Sequence, residues 1–340
     1  VTDTATVDGT RPATTWPSGR PFFGLHLPNL TFPGVEPDGL FEHVVGLARA
    51  AEAAGFDLVT VMDHFYQIGG VGPEENNMLE ACSTLAGIAA RTERAHLGTL
   101  VSGVTYRNPA LLAKTVTTLD VISGGRAVLG LGAAWNESEH RGYGFDFPPI
   151  GERMDRLDEA LAICRLMFTE ERPSFEGKHY RIEHALNHPR PIQPGGPKIL
   201  VGGGGEGRTL LIAAKHADMT HWFAGSLDVL RHKTEVLEAH CETVGRDPTT
   251  ITKTMGAPVL PVASERDAKA ALEQIAPERR ALLTPGTPEQ SAERLSAYVE
   301  AGFLGFTFGN TMLPTVEAID LAGETLRLLR WPGRREPALP

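Results

Sequence analysis

Eight times along this chain a short, almost wholly apolar run precedes a stretch with helical spacing, and that cycle restricts the fold more than any other feature. Phe22 to Leu27, closed by Pro28, leads to 40–54, where Leu40, Val44, Leu47, Ala48 and Ala51 share one helical face. Phe56 to Met62 and Ala95 to Val101 predict strands two and three, with helices over Met78 to Arg91 and, after Asn108 and Pro109, over Ala110 to Ile122. Ala127 to Leu131 is strand four, and Leu157, Leu161, Cys164 and Phe168 mark helix four. Ile199 to Val201, Met219 to Phe223 and Ile251 to Val262 predict strands five to seven, with a helix over Leu227 to Val244. Glu289 to Ala301, closed by Gly302, is a helix, Phe303 to Phe308 strand eight and Thr315 to Leu329 the last helix. Strands without polar alternation are buried on both faces, as parallel strands under helices are. No Pro- or Gly-rich linker halves the 340 residues. The prediction is an α/β fold, a single (β/α)8 TIM barrel over 21–330 with loop insertions, a flexible arm over 1–20 and a tail over 331–340.

The insertions are a long loop from Gly132 to Ile150 and a β-hairpin over Ser174 to Ile182, turning at Glu176 and Gly177, with a Pro-rich return. A net charge of −10 without a long basic run excludes nucleic acid as an expected partner. Arg330, Arg334 and Arg335 read as a solvated tail. No run of 18 apolar residues exists and the first 20 residues lack an apolar core, so neither membrane nor secretion is expected. Cys82, Cys164 and Cys241 lie far apart, which offers neither a disulfide framework nor metal spacing and fits a reducing, cytoplasmic compartment.

In a barrel of this kind the residues just after each strand build the site. Gly202, Gly203, Gly204 and Gly205 follow strand five, and a helical pattern starts near Glu206: bare backbone N–H groups at a helix start form an anion cradle, best suited to phosphate. A plain tight turn reads the same way. Gly202, Gly204 and Gly207 also satisfy G-x-G-x-x-G, but a dinucleotide fold carries that motif on its first βα turn. Asp63 and His64 after strand two are the pair suited to proton work, though adjacent residues on an extended chain point oppositely. His26, Leu100 to Gly103, Gly132 to Asn136, His221 with Trp222, and Asn310 complete the candidates; each is also readable as a satisfied loop residue. His184 and His188 would share a helix face at i, i+4, yet Pro189 and Pro191 argue against a helix and no H-E-x-x-H pattern exists, so no metal is expected. No G-x-S-x-G elbow or activated cysteine points to covalent catalysis. A phosphate cradle and an Asp-His pair around an apolar mouth suit a flat, phosphorylated redox cofactor.

At AAEAAGFDLVTVMDH, YRNPALLAKTVTTLDVISGGRAVLGLGAAWNESE, SFEGKHYRI with PRPIQ, and KILVGGGG the chain resembles the luciferase-like oxidoreductases, which use FMN or the deazaflavin coenzyme F420 in a TIM barrel. The resemblance covers Phe22 to Leu329. It implies that Asp63 and His64 lie beside the cofactor ring, that Gly132, Ala133, Ala134, Trp135 and Asn136 hold the ring and ribityl region, and that the four glycines take the phosphate. It also implies a non-proline cis peptide within Leu100, Val101 and Ser102, with His64 as acid or base; His221, at the end of strand six, is the reserve candidate by its position, with the alternative that it only lines the substrate pocket. Asp-His after strand two favours F420, hence hydride transfer between the deazaflavin and a small organic substrate. Ala134 and Trp135 replace the glutamate that sugar-phosphate dehydrogenases of this group carry in the strand-four loop, which favours an uncharged substrate. The alternatives are an FMN-dependent monooxygenase and a non-catalytic cofactor-binding barrel. The resemblance further implies a homodimer.

Overall fold

The computed structural model describes residues 15–277, 280 and 282–330. Eight parallel strands close on themselves: β1 (Phe22–Leu27), β2 (Leu58–Val61), β3 (His96–Thr99), β4 (Ala127–Gly132), β5 (Lys198–Gly202), β6 (Met219–Trp222), β7 (Thr252–Gly256) and β8 (Phe303–Gly309). Each pairs with the next, and β8 pairs with β1. This is the predicted (β/α)8 barrel. Among the described residues ten α-helices surround it: α1 (Pro37–Ala53), α2 (Ala81–Arg91), α3 (Pro109–Ser123), α4 (Glu137–Tyr143), α5 (Ile150–Thr169), α6 (Thr209–His216), α7 (Leu227–Val244), α8 (Glu265–Gln274), α9 (Pro288–Glu300) and α10 (Val316–Arg330). Local signals place their ends. Asn108 caps α3 before Pro109 and Gly124 closes it at φ 71°, a left-handed conformation that favours glycine.

Alternation along the strands divides two cores. Phe23, Leu25, Leu27, Val59, Val61, Leu97, Leu129, Ile199, Val201, Phe306 and Phe308 face the helices. Phe22, Leu58, Val128, Leu200 and Met219, with Leu304, Leu100 and Val101, fill the lumen. Trp16 seals its N-terminal end, edge-on to Phe22 at 5.2 Å and to His96 at 4.7 Å between ring centres. Residues 15–20, expected within the flexible arm, are thus partly packed: Pro17 is buried and Arg20 pairs with Asp57 at 2.9 Å. Arg330, expected in a solvated cluster, is folded in as well, donating to the Pro21 carbonyl at 2.8 Å and pairing with Asp57. Residues 1–14 and the tail 331–340, with Arg334 and Arg335, lie outside the described residues.

Four expectations need correction. The strand expected over 251–262 ends at Gly256, where Pro258 interrupts the ladder; Val259–Pro261 pairs instead with Thr284–Gly286. The loop after β4 contains α4, and α8, which no expectation covered, buries none of its residues and is marked only by its Ser264 cap and the acidic first turn of Glu265 and Asp267. In the hairpin, Phe175–Glu176 pairs with Arg181–Ile182, so the turn spans Gly177 to Tyr180. The helix expected from Glu206 starts at Thr209.

Candidate active site

Toward the C-terminal ends of the strands the lumen turns polar. His26 and Thr60 face each other, Nδ1 to Oγ1, at 3.0 Å, and His221 and Thr254 repeat the arrangement at 2.9 Å. Burial lowers His26 to about 4, and the charge of His64 adds to the effect. His221 falls to about 3, again through burial and then through the charge of His26. Three imidazoles therefore influence one another around a single mouth, with His26 and His221 neutral near pH 7.

His64 differs from both in its partner, which is a carboxylate. That partner is Glu139, not Asp63. The wholly buried Glu139 side chain accepts from His64 Nδ1 at 2.7 Å, from the Phe65 and Tyr66 amides at 3.0 and 3.4 Å, and from the Tyr106 hydroxyl. Burial opposes its charge, but the bonds from His64 and Tyr106 outweigh it and hold the carboxyl below its ordinary value. Asp63 instead accepts both ends of the Arg107 guanidinium, at 2.5 and 3.0 Å, and Arg107 also reaches Glu80 at 2.6 Å. A bidentate pair of this kind is strong and fixes the geometry of both groups. It ties the end of β2 to the segment preceding α3. The pair adjacent in sequence is thus split between two partners, as extended geometry requires.

After β3 the chain passes through a cis peptide between Leu100 and Val101, within the expected stretch. Val101 lies across the lumen: a Cβ built on Gly132 or Gly202 would come within 2.9 Å of its methyls. Glycine at both strand ends is what admits the Val101 side chain. Ser102 is turned away, donating to Thr99 Oγ1 at 3.0 Å, while Thr99 donates to the Gly130 carbonyl at 2.9 Å.

The glycine turn begins in register with His221, whose carbonyl accepts from the Gly203 amide at 3.0 Å. Gly203 has φ 106°, a conformation L side chains rarely adopt, so the backbone there stays bare. Because the turn runs through 206–208 before α6, the glycines do not open the helix directly. A cation compensates: Lys233 of α7 donates to the Gly204 carbonyl at 2.6 Å and lies 3.5 Å from Glu206. Bare backbone beside an ammonium fits a phosphate-bearing group.

The β4 loop covers the mouth from the other side. Ala133 and Ala134 are half-buried, and Ala134 has φ 60°. Trp135, 61% exposed, stands edge-on to His64 at 5.5 Å between ring centres. Asn136 caps α4 by accepting from the Ser138 amide at 3.2 Å. Phe223, 90% exposed, follows β6. Two candidates are placed elsewhere. Trp222 packs outward on Phe303, and Asn310 is bound to Asn29 at 2.7 Å as part of the wall. Glu139, Tyr106, Arg107 and Lys233 were not foreseen. Only the capped start of α4 hinted that Glu139 sits on a helix.

A family model described as luciferase-like monooxygenase matches residues 23–284. The F420-dependent glucose-6-phosphate dehydrogenase of Intrasporangium calvum is 39% identical over 173 residues, which are 49% of this chain and 49% of that protein. The chain thus spans about half the length of the curated relatives it matches first. Among solved structures, an F420-dependent secondary alcohol dehydrogenase in complex with an F420-acetone adduct superimposes with a TM-score of 0.72 at 19% identity, over 92% of this chain and 99% of that one. EDTA monooxygenase from Chelativorans sp. BNC1 gives 0.76 at 16% identity, over 91% and 93%. At these identities the likeness to the solved structures is one of fold.

Proposed function

Because the chain belongs to the luciferase-like monooxygenase family, we propose that it is an F420-dependent oxidoreductase that moves a hydride between the deazaflavin and a small, uncharged organic substrate. Coenzyme F420, when bound, supplies or receives that hydride. The observation that carries the reading is the pair of His64, at the end of β2, with Glu139 of α4, in a chain whose first matched curated relatives are named F420-dependent. Glu139 accepts from Nδ1 of His64 and so fixes the tautomer and orientation of the ring, which leaves Nε2 to give or take the proton that accompanies the hydride. Val101 and the glycines at 132 and 202 offer a flat floor, the turn 202–205 with Lys233 takes the phosphate, and the β4 loop with Asn136 flanks the ring.

An uncharged substrate is favoured by the exposed Trp135 and Phe223 at the rim and by the commitment of Arg107 to Asp63 and Glu80. Ile122, 42% exposed on α3, borders an apolar groove of about 290 Å³ against α2 and supports a homodimer. Three unpaired cysteines support a cytoplasmic setting. The reading is tested by mixing the protein and F420 with a panel of uncharged alcohols and following the deazaflavin absorbance. His64→Ala should slow its loss by roughly 10²- to 10⁴-fold. A full rate in that variant would remove His64 from the mechanism.

A further inference from the structure

The hydrogen bonds around His221 determine which of its ring nitrogens carries the proton. Thr254 lies beside it in the neighbouring strand, in register, with Oγ1 2.9 Å from His221 Nδ1. A hydroxyl has one hydrogen, and that of Thr254 is already given to the Thr220 carbonyl at 2.7 Å within the buried wall. Toward His221, Thr254 Oγ1 is therefore an acceptor. Nδ1 must hold the hydrogen, which leaves the lone pair on Nε2. Nε2 makes no hydrogen bond among the described residues, and it belongs to a side chain on the lumen face, since Met219 below points inward and Trp222 above points outward. Burial keeps the ring neutral, so this lone pair persists through the physiological range.

We infer that His221 is a recognition residue: its Nε2 is a fixed acceptor that selects ligands presenting an O–H or N–H group to it. His64 and His221 thus divide the work, the first exchanging a proton and the second only receiving a hydrogen bond. A substrate offering a carbonyl at this position would set lone pair against lone pair, and one offering an alkyl group would leave Nε2 buried and unpaired. The inference rests on the mouth being the substrate site, and it holds whichever flavin-like cofactor binds there.

Cyclohexanol and cyclohexanone test it, being matched in size and uncharged while only the first donates. In cofactor-free protein with ¹⁵N-labelled histidine, His221 should show the Nδ1–H tautomer from pH 5 to 8. Cyclohexanol should shift its Nε2 resonance at a concentration about three- to tenfold lower than cyclohexanone requires. His221→Phe should abolish that preference. In Thr254→Val the tautomer is released, so an Nε2–H form should appear and affinity for the ketone should rise. An Nε2–H tautomer in the unsubstituted protein, equal response to both probes, or response to neither overturns the inference. Because no F420 is present, failure here is separable from failure of the F420 reading, which a cofactor titration decides.

Discussion

Glu139 holds Nδ1 of His64 at 2.7 Å, whereas Asp63, the neighbour of His64 in sequence, faces Arg107. The carboxylate that tunes the proton-moving group therefore comes from the β4 loop. Glu139→Gln preserves volume but replaces the carboxylate that holds His64 Nδ1 with a neutral amide. Steady-state kinetics should show kcat falling by about 10²-fold with KM changed less than about threefold. A change in KM alone would mean that Glu139 only shapes the loop.

The buried histidines make the fold acid-sensitive. Burial pulls His26 and His96 from 6.5 to about 4 and His221 to about 3. The unfolded chain binds protons at these rings near pH 6.5 while the folded one refuses them until about pH 4 or below, so stability falls as pH drops through that window. His96 is fully buried against Trp16 with no side-chain hydrogen bond of ordinary geometry, which makes it the cleanest reporter. Thermal denaturation of His96→Phe should show a larger gain over the unsubstituted protein at pH 5.5 than at pH 7.5. A gain independent of pH would assign the effect to packing.

Lys233 and Gly203 define the anion cradle from two sides. Lys233→Met should weaken F420 binding by about tenfold, near 1.4 kcal/mol, and flatten its salt dependence. Gly203→Asp should weaken it at least as much, because the turn at φ 106° resists any side chain and the new charge repels phosphate. Folded variants of both kinds with unchanged affinity would place the phosphate elsewhere.

Light scattering at micromolar concentration should give a dimer mass. Ile122→Glu, which puts a charge on the exposed α3 stripe, should shift it toward monomer. A monomer without substitution contradicts the assembly.

The barrel was legible because most strands are short apolar runs and most helices carry a buried stripe or a clear cap. What escaped notice lacked those signals. α8 buries nothing, α4 is two turns long, and Pro258 diverts the chain inside an otherwise continuous apolar run. In the site, the glycine turn and His64 were visible because backbone freedom and imidazole chemistry belong to single residues. The partners were not. Glu139 lies 75 residues from His64 and Arg107 lies 44 from Asp63, pairings created by the side-by-side packing of β2, β3 and β4. The proximity of Asp63 to His64 in sequence was therefore a misleading cue to their contacts.

The central claim, a deazaflavin-dependent site, is tested most directly by parallel equilibrium titrations of the protein with F420 and with FMN, read by fluorescence at fixed ionic strength. The account predicts saturable F420 binding at least tenfold tighter than that of FMN, about 1.4 kcal/mol. Tight FMN binding without affinity for F420 would contradict it, leaving the barrel intact and assigning the mouth to oxygen-dependent chemistry.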